Sequence, residues 1–546
     1  MIRSRYLSSP SKSLMLASIA SLTLAACGGG GGGETPQADA LQACSALKGA
    51  SVDMKDIALP TRGAVVNEAE FIAANGSGAT AVGEFCRVRG AIASVDSTAP
   101  PINFEVGLPT QWNARAIHLM GGGYDGQVVR STENVPGAPR LQTPLGRGYV
   151  AFGSDSGHTS NPPMLEGSFA LNDEALENFF GDQLRKTRDV AMKIVEKRYG
   201  KLPMRTYSAG GSGGGREALY VADRWPTLYD GVITYYPAWS LTAMLTQFSA
   251  ISKALAAPGA WSNSSKQALV STSVIKQCDA LDGAVDGIVS RPDACTFLPQ
   301  TLRCPSGSDE GNTCLSDAQI TGFKAYDTPL NLRYQLANGT SSYPGFGVFK
   351  SGLITTMGTK APADPSSFTM PFATFIADSF VRYSIYRDAS YPALQFDPNA
   401  NGYVTQRMQY ISSRWDVNPN LEAFAKKGGK VILVHGSSDA YIPNASSRDF
   451  YERAVAAMGR STVQSAMRFF DVPGYGHGEG SFVVNYDGLA ALEKWVEEGV
   501  PPANPIASDA SANGKGRTRP LCEYPKWPKF NANGNVDEAA NYSCVE

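Results

Sequence analysis

The chain has 546 residues, 43% of them hydrophobic and 18% charged, with a formal net charge of −2. That length supplies a large core and room for two domains. The near-neutral charge excludes the basic footprint of a nucleic-acid binder. Its four histidines are His118, His158, His435 and His477, which excludes a histidine-rich metal cage and restricts any imidazole base to this set.

Arg3, Arg5 and Lys12 precede an apolar run from Leu14 to Ala26. The run is too short to span a bilayer comfortably, and residues 1–26 read as a signal peptide. Leu24-Ala25-Ala26-Cys27 has the form of a bacterial lipobox, in which Cys27 is lipidated and becomes the mature N-terminus. Gly28 to Gly33 form a flexible tether, and residues 27–40 are assigned to anchor and tether. The expected location is therefore the outer membrane through the lipid anchor alone, or the medium if Cys27 is not lipidated. The other cysteines are Cys44, Cys86, Cys278, Cys295, Cys304, Cys314, Cys522 and Cys544. An even number in an exported chain suggests disulfides, with the pairing left open. No CxxC spacing points to a zinc ribbon or a redox site.

Further along, strand-like and helix-like segments alternate. Residues 114–120 read as a strand running into Gly121-Gly122-Gly123, and 148–153 as a second strand bounded by glycines. Residues 182–199 carry apolar side chains at helical spacing. Strand-like 204–208 is followed by helix-like 216–224, and 231–236 is rich in β-formers. The pattern resumes with strand 430–435, helix 446–458 and strand 467–472. Such alternation implies a mostly parallel sheet with helices on both faces. Residues 240–425 interrupt it and are read as an inserted lid domain between two parts of the core, 41–239 and 426–546. The second part ends in a Pro/Asn-rich tail.

Gly210-Gly211-Ser212-Gly213-Gly214 matches G-x-S-x-G. Its position between a strand and a helix is the setting a nucleophile elbow requires. Asp439 follows the strand ending at His435, and His477 lies in a glycine-rich loop beyond the next strand. The order Ser212, Asp439, His477 is that of the α/β hydrolases. In this reading His477 takes the serine proton and Asp439 orients the imidazole. The amide of Gly213 and one from the glycine loop, at Gly122, would form the oxyanion hole. His435, His158 and His118 are read as structural.

Between Cys278 and Ile288 lie Asp279, Asp282 and Asp286, two of them followed by glycine. Such a loop can wrap a hard cation, and oxygen donors suit calcium in a structural role. A solvated Asp/Gly turn is the other reading.

Together these features resemble the tannase/feruloyl esterase family. The resemblance is carried by residues 211–219, Tyr229-Asp230-Gly231-Val232, the acidic loop, residues 435–439 and Gly476-His477, and covers residues 40–546. It implies an α/β-hydrolase core with a large lid between serine and aspartate, and Ser212, Asp439 and His477 as triad. It also implies a Ca2+ ion held by Asp279, Asp282 and Asp286 with the carbonyls of Ala284 and Ile288. The implied disulfides are Cys44–Cys86, Cys278–Cys295, Cys304–Cys314 and Cys522–Cys544. One departure stands out. The family carries a joined pair of cysteines before the nucleophile and after the histidine, and here those positions are Gly211 and Gly478.

The expected function is a serine carboxylesterase acting on small esters of aromatic acids. Phe372, Phe375, Phe380, Tyr383, Tyr386 and Tyr391 offer ring-binding surfaces, although most would be lid core, and Arg382 or Arg387 could hold a carboxylate or phenol. The alternatives are a non-catalytic, ligand-binding surface lipoprotein on the same fold and a serine peptidase.

Overall fold

Residues 36–546, apart from 163, 401 and 515, are described by a computed structural model of the chain. The expected signal peptide, Cys27 and the glycine tether lie outside the described residues.

One sheet organises the molecule. Its strands are β1 (Ser51–Val52), β2 (Ala64–Ile72), β3 (Phe85–Ile92), β4 (Ile102–Pro109) and β5 (Arg115–Leu119). They continue with β6 (Val150–Ser154), β7 (Arg205–Gly211), β8 (Gly231–Tyr235), β9 (Lys430–Gly436) and β10 (Met467–Val472). The spatial order is β1-β2-β3-β4-β6-β5-β7-β8-β9-β10. Pairing is antiparallel from β1 through β6 and parallel from β6 to β10.

The parallel strands are largely buried because helices cover both faces. Alternate residues go to opposite cores, as the two-residue pleat requires. Val232, Val431 and Leu433 pack with Ala218, Leu219 and Val221 of helix α2 (Gly213–Arg224), while Ile233, Ile432 and Val434 pack with Leu489, Leu492 and Trp495 of a helix near the C-terminus, Gly488–Glu498. Helix α1 (Gln183–Tyr199) lays Val190, Ala191, Ile194 and Val195 against β3, β4 and β6. Its stop is Gly200 at φ +69°, the left-handed cap that glycine adopts without a Cβ penalty.

Between β8 and β9 the chain leaves the sheet and builds a helical unit, including α3 (Leu241–Leu255) and α4 (Phe372–Ser379). Its apolar core contains Phe248, Phe323, Phe380, Ile411 and Trp415. Residues Leu176, Phe179 and Phe180, which precede α1, pack into this same core. The inserted unit is thus locked onto the sheet domain by a shared apolar seam.

Cys44–Cys86, Cys278–Cys295, Cys304–Cys314 and Cys522–Cys544 are joined. The last of these ties down the tail, where Trp527–Phe530 pairs with Tyr542–Val545. Four disulfides fit an exported protein. Among the described residues no helix is long and apolar enough to cross a membrane.

Candidate active site

Strand register brings the expected site residues to one rim. Leu119 pairs with Ala209, Gly211 with Tyr235, Tyr235 with Val434, and Gly436 with Val472. The segments leaving these strands, 120–123, 212, 236, 437–439 and 473–477, therefore emerge together at the carboxyl edge. The chain exits leftward from β5 to β6 and rightward from β7 to β8. The crevice between β5 and β7 is thus a switch point, where open α/β sheets bind ligands.

Ser212 occupies the turn between β7 and α2 at φ +62°, ψ −125°, a region that costs a non-glycine residue on the order of 1–3 kcal/mol. The turn is pinned on both sides. The Ser212 amide donates to the Tyr235 carbonyl at 3.1 Å, and the Arg216 amide donates to the Ser212 carbonyl at 3.0 Å. Glycines around it are sterically required. A Cβ on Gly214 would fall 2.0 Å from the Gly121 carbonyl, and one on Gly213 would fall 2.9 Å from the Gly123 carbonyl. The loop after β5 and the start of α2 thus touch backbone to backbone, next to the serine.

His477 Nδ1 lies 2.8 Å from Asp439 Oδ2. The other carboxylate oxygen of Asp439 accepts the amides of Tyr441 and Ile442 at 2.7 and 2.9 Å. Burial pushes the Asp439 carboxyl up, but the charge and hydrogen bonds of His477 and His435 outweigh it and hold it well below the usual range. The imidazole remains partly open, with 17% of the side chain exposed, so one edge is available to a reacting group.

A cavity of about 550 Å³ opens between Ser212, His477 and the glycine loop. Tyr236, Phe372 and Tyr441 form its aromatic wall, and Gln127, Glu133 and Asn134 its polar end. A smaller apolar pocket also reaches Ser212 and is lined by Ala238, Leu241, Met244, Leu245 and Ile376. Among the described residues no lysine or arginine lines either space.

Most of the lid aromatics are lid core, as expected, whereas the expectation for Arg382 and Arg387 needs correction. Of the six named aromatic residues only Phe372 lines these spaces. Phe380 is fully buried against Trp415, Phe375 packs edge-on to Phe372 and Phe368, and Tyr383 packs on the lid core. Tyr386 and Tyr391 stack on each other at 3.6 Å. Arg382 is held by Asp378 and Asp364, and Arg387 by Asp173, so neither guanidinium faces the cavity.

A buried polar network behind the glycine loop carried no motif in the sequence. Asp125, whose amide donates to the Gly122 carbonyl at 2.8 Å, has its carboxylate against Ser156 Oγ. Glu217 accepts from Gln183 at 3.0 Å and from the Gly121 amide. Burial raises both carboxyls, and repulsion from Asp125 raises Glu217 further. Arg216 is 1% exposed and donates to the carbonyls of Phe180 and Trp415, which joins the serine helix to the seam under the lid.

The remaining histidines are packed. His435 contacts Ser447 Oγ at 2.7 Å and the Ile442 carbonyl at 3.1 Å, with Asp439 at 3.5 Å. His158 meets the Tyr124 carbonyl and stacks on Phe169, and burial lowers it to about 4. His118 meets Tyr229 Oη, and burial lowers it to about 3. Both stay neutral at pH 7, as packed imidazoles must.

In the acidic loop, Asp279 accepts the amides of Asp286, Gly287 and Ile288, and Asp282 accepts that of Ala284 at 2.9 Å. The Asp282 carboxylate is buried beside the Ser290 side chain. Asp286, by contrast, faces the Arg519 guanidinium and Tyr542 Oη. Among the described residues no three acidic, histidine or cysteine side chains are gathered as a metal would gather them. The donor chemistry of Asp279 and Asp282 suits a hard cation, and Asp286 is engaged elsewhere.

An α/β sheet with a serine on a strained strand–helix turn, facing a histidine–aspartate pair at the same rim, has the layout of a serine ester hydrolase. The family model "Tannase and feruloyl esterase" matches residues 86–545, so the chain belongs to that family and is a carboxylic ester hydrolase. It is 37% identical over 516 residues to an uncharacterized esterase of Agrobacterium fabrum, covering 92% of this chain and 93% of the relative. It is 28% identical over 561 residues to the mono(2-hydroxyethyl) terephthalate hydrolase of Piscinibacter sakaiensis, covering 92% and 91%. The crystal structure of feruloyl esterase B from Aspergillus oryzae superposes with a TM-score of 0.72 at 24% identity, over 92% of this chain and 100% of that one; this likeness shows the fold.

Proposed function

We propose that the protein hydrolyses uncharged esters of aromatic acids through an acyl-enzyme on Ser212. The observation that carries this reading is the convergence of Ser212 and the His477–Asp439 pair on one cavity with an aromatic wall. His477, oriented through Nδ1 by Asp439, takes the Ser212 proton on its other nitrogen as Oγ attacks the ester carbonyl. The oxyanion that forms is held by the amides of Gly213 and Gly122, where two backbones already abut. His477 returns the proton to the leaving alcohol. Water then repeats the sequence on the acyl-enzyme and releases the acid.

Two observations support the substrate class. Tyr236, Phe372 and Tyr441 present planar apolar surface beside the serine, which suits an aromatic ring. Without a cationic side chain in the lining, a free carboxylate entering the cavity would have nothing to pair with. We therefore expect methyl ferulate or methyl gallate to exceed the anionic mono(2-hydroxyethyl) terephthalate in kcat/KM by at least about tenfold. Steady-state hydrolysis of these esters beside dimethyl terephthalate measures this. A preference for the anionic ester would overturn the reading of charge, and activity confined to aliphatic esters would overturn that of the ring.

The acidic loop is proposed to hold a structural Ca2+ through Asp279 and Asp282, with the carbonyls of Ala284 and Ile288 and with Asp286 as the remaining donor once it leaves Arg519. The burial of the Asp279 and Asp282 carboxylates without a cationic side chain, among the described residues, bonded to either supports this. Bound calcium would neutralise the Asp279 and Asp282 carboxylates and so serve the fold. Chelation is expected to lower Tm, and millimolar calcium to restore it. A melting temperature indifferent to both would leave Arg519 as the loop's counter-charge.

Export as a lipoprotein through Cys27 is likewise proposed from the lipobox. Metabolic labelling with palmitate is expected to mark the protein and not Cys27→Ser; equal labelling of the two would sink the anchor.

A further inference from the structure

Tyr236 sits where three parts of the site meet. It follows β8 with φ +35°, and its amide donates to the Val434 carbonyl at 2.8 Å. Its ring is 8% exposed and lies 4.2 Å from the His477 imidazole, centroid to centroid, tilted by 35°. Tyr235 and Tyr475 support it from behind, each with ring centroids 6.0 Å away.

The two glycines that flank the reacting residues both face this ring. A Cβ on Gly211, just before the serine, would fall 2.7 Å from Tyr236 Cε2 and 3.2 Å from its hydroxyl. A Cβ on Gly478, just after the histidine, would fall 3.6 Å from the same hydroxyl. The phenol therefore fills the gap between the serine strand and the histidine loop, and Gly211 must lack a side chain to admit it. The histidine loop is closed on itself by the Gly476 amide donating to the Glu479 carbonyl at 2.7 Å and the His477 amide donating to the Glu479 carboxylate at 3.2 Å, but Gly476, Gly478 and Gly480 surround His477, and the last two have φ values of +102° and +124°. A glycine-rich loop of this kind loses much backbone entropy when it is held in one place, so something packed must hold it.

We propose that Tyr236 is a positioning residue: its ring is the wedge that sets the His477 loop at the correct distance from Ser212. This rests on the assignment of Ser212 and His477 above. The coupling is steric and non-covalent, so it is insensitive to reductant, and it makes Gly211 and Tyr236 an interlocked pair.

The test uses Tyr236→Ala, Tyr236→Phe, Gly211→Ala and Gly211→Ala/Tyr236→Ala in the mature protein. The readouts are the rate of modification by a small fluorophosphonate and the kcat and KM for 4-nitrophenyl acetate, a substrate too small to need the cavity wall. Tyr236→Ala is expected to slow labelling and kcat by about 10- to 100-fold with little change in KM, the signature of a misplaced catalytic group. Tyr236→Phe keeps the ring and should keep the rate. Gly211→Ala should lose activity by displacing the ring, and the double variant should lose less than the two singles combined.

Adding Gly211→Cys and Gly478→Cys to the Tyr236→Ala background gives a second check, because a covalent tether across the same gap should recover the lost rate. Wild-type labelling by Tyr236→Ala would overturn the proposal. So would an equal loss in Tyr236→Phe, which would place the effect in the hydroxyl, or a rise in KM alone, which would make the ring a substrate contact. Thermal melts identify any variant that fails to fold, and the cysteine-rescued form then decides the question. Labelling that persists in Ser212→Ala would instead indict the assignment of the nucleophile.

Discussion

Replacing Ser212 by alanine is expected to lower kcat for ester hydrolysis about 10⁴- to 10⁶-fold, the range found when the nucleophile of a serine triad is removed. The fold should survive, because the hydroxyl makes no packing contact on which the turn depends: the pins are the backbone bonds to Tyr235 and Arg216. Stability should not rise in Ser212→Ala, since alanine bears the same left-handed strain at φ +62°. Ser212→Gly separates the two effects. It should be equally inactive yet more stable by about 1 kcal/mol, because glycine enters that region without a Cβ penalty. Activity against the aromatic ester panel, mass-spectrometric trapping of an acyl adduct and thermal melts of the three proteins check this together. Residual activity within tenfold of wild type in Ser212→Ala would move the nucleophile elsewhere. A glycine variant less stable than the alanine one would show that the turn stores no strain.

The parallel half of the sheet was legible because burial on both faces favours short, largely apolar runs bounded by glycine, of which Lys430–Gly436 is the clearest. Lys430–Gly436 and Met467–Val472 match the expected segments nearly to the residue. The placement of Ser212, Asp439 and His477 was legible for a related reason: each follows a parallel strand, so register carries them to a common rim. The antiparallel half was not read. In β3 a usable signal was present, since Cys86, Val88, Gly90 and Ile92 point inward in alternation, but Arg87, Arg89 and a glycine dilute its apolar character. In β2 the alternation leaves Val65 half exposed beside a bulge.

The site's walls were illegible for a different reason. Tyr236 and Tyr441 do not differ in sequence from the many tyrosines that pack in the core. Phe372 differs from Phe380 only by how the lid is laid on the sheet, which depends on the seam formed by Phe179, Phe180 and Trp415. Arg216 and Glu217 look like an ordinary helix surface pair, and both are buried. Non-local contacts of this kind leave no local pattern to read.

Asp439→Asn is expected to cost about 10³- to 10⁴-fold in kcat while leaving substrate binding nearly intact. In the proposed mechanism the carboxylate does two things that an amide cannot. Through Oδ2, 2.8 Å from His477 Nδ1, it accepts the imidazole N–H and so keeps the other nitrogen free to take the serine proton. It also stabilises the imidazolium once that proton arrives. An asparagine NH2 at the same place would donate to Nδ1 and put the proton on the wrong nitrogen. Oδ1 can still accept the Tyr441 and Ile442 amides, so the loop should hold, at a cost of about 1–2 kcal/mol for weakened charge-assisted bonds.

His435 offers the internal control. It approaches the same carboxylate at 3.5 Å but is fully buried and already bonded to Ser447 and Ile442, so it has no edge to offer substrate. Substituting it should lower stability far more than it lowers the rate per folded molecule, whereas His477→Ala should do the reverse. Because its neighbours hold Asp439 well below the ordinary carboxylate range, the sign of the pH effect is set. The carboxylate stays charged through mild acid, and its contribution to stability is lost only as pH falls through that depressed value. Any acid limb in the activity profile must then belong to another group. Such a limb should persist in whatever residual activity Asp439→Asn retains, and its disappearance would return the titration to Asp439 itself.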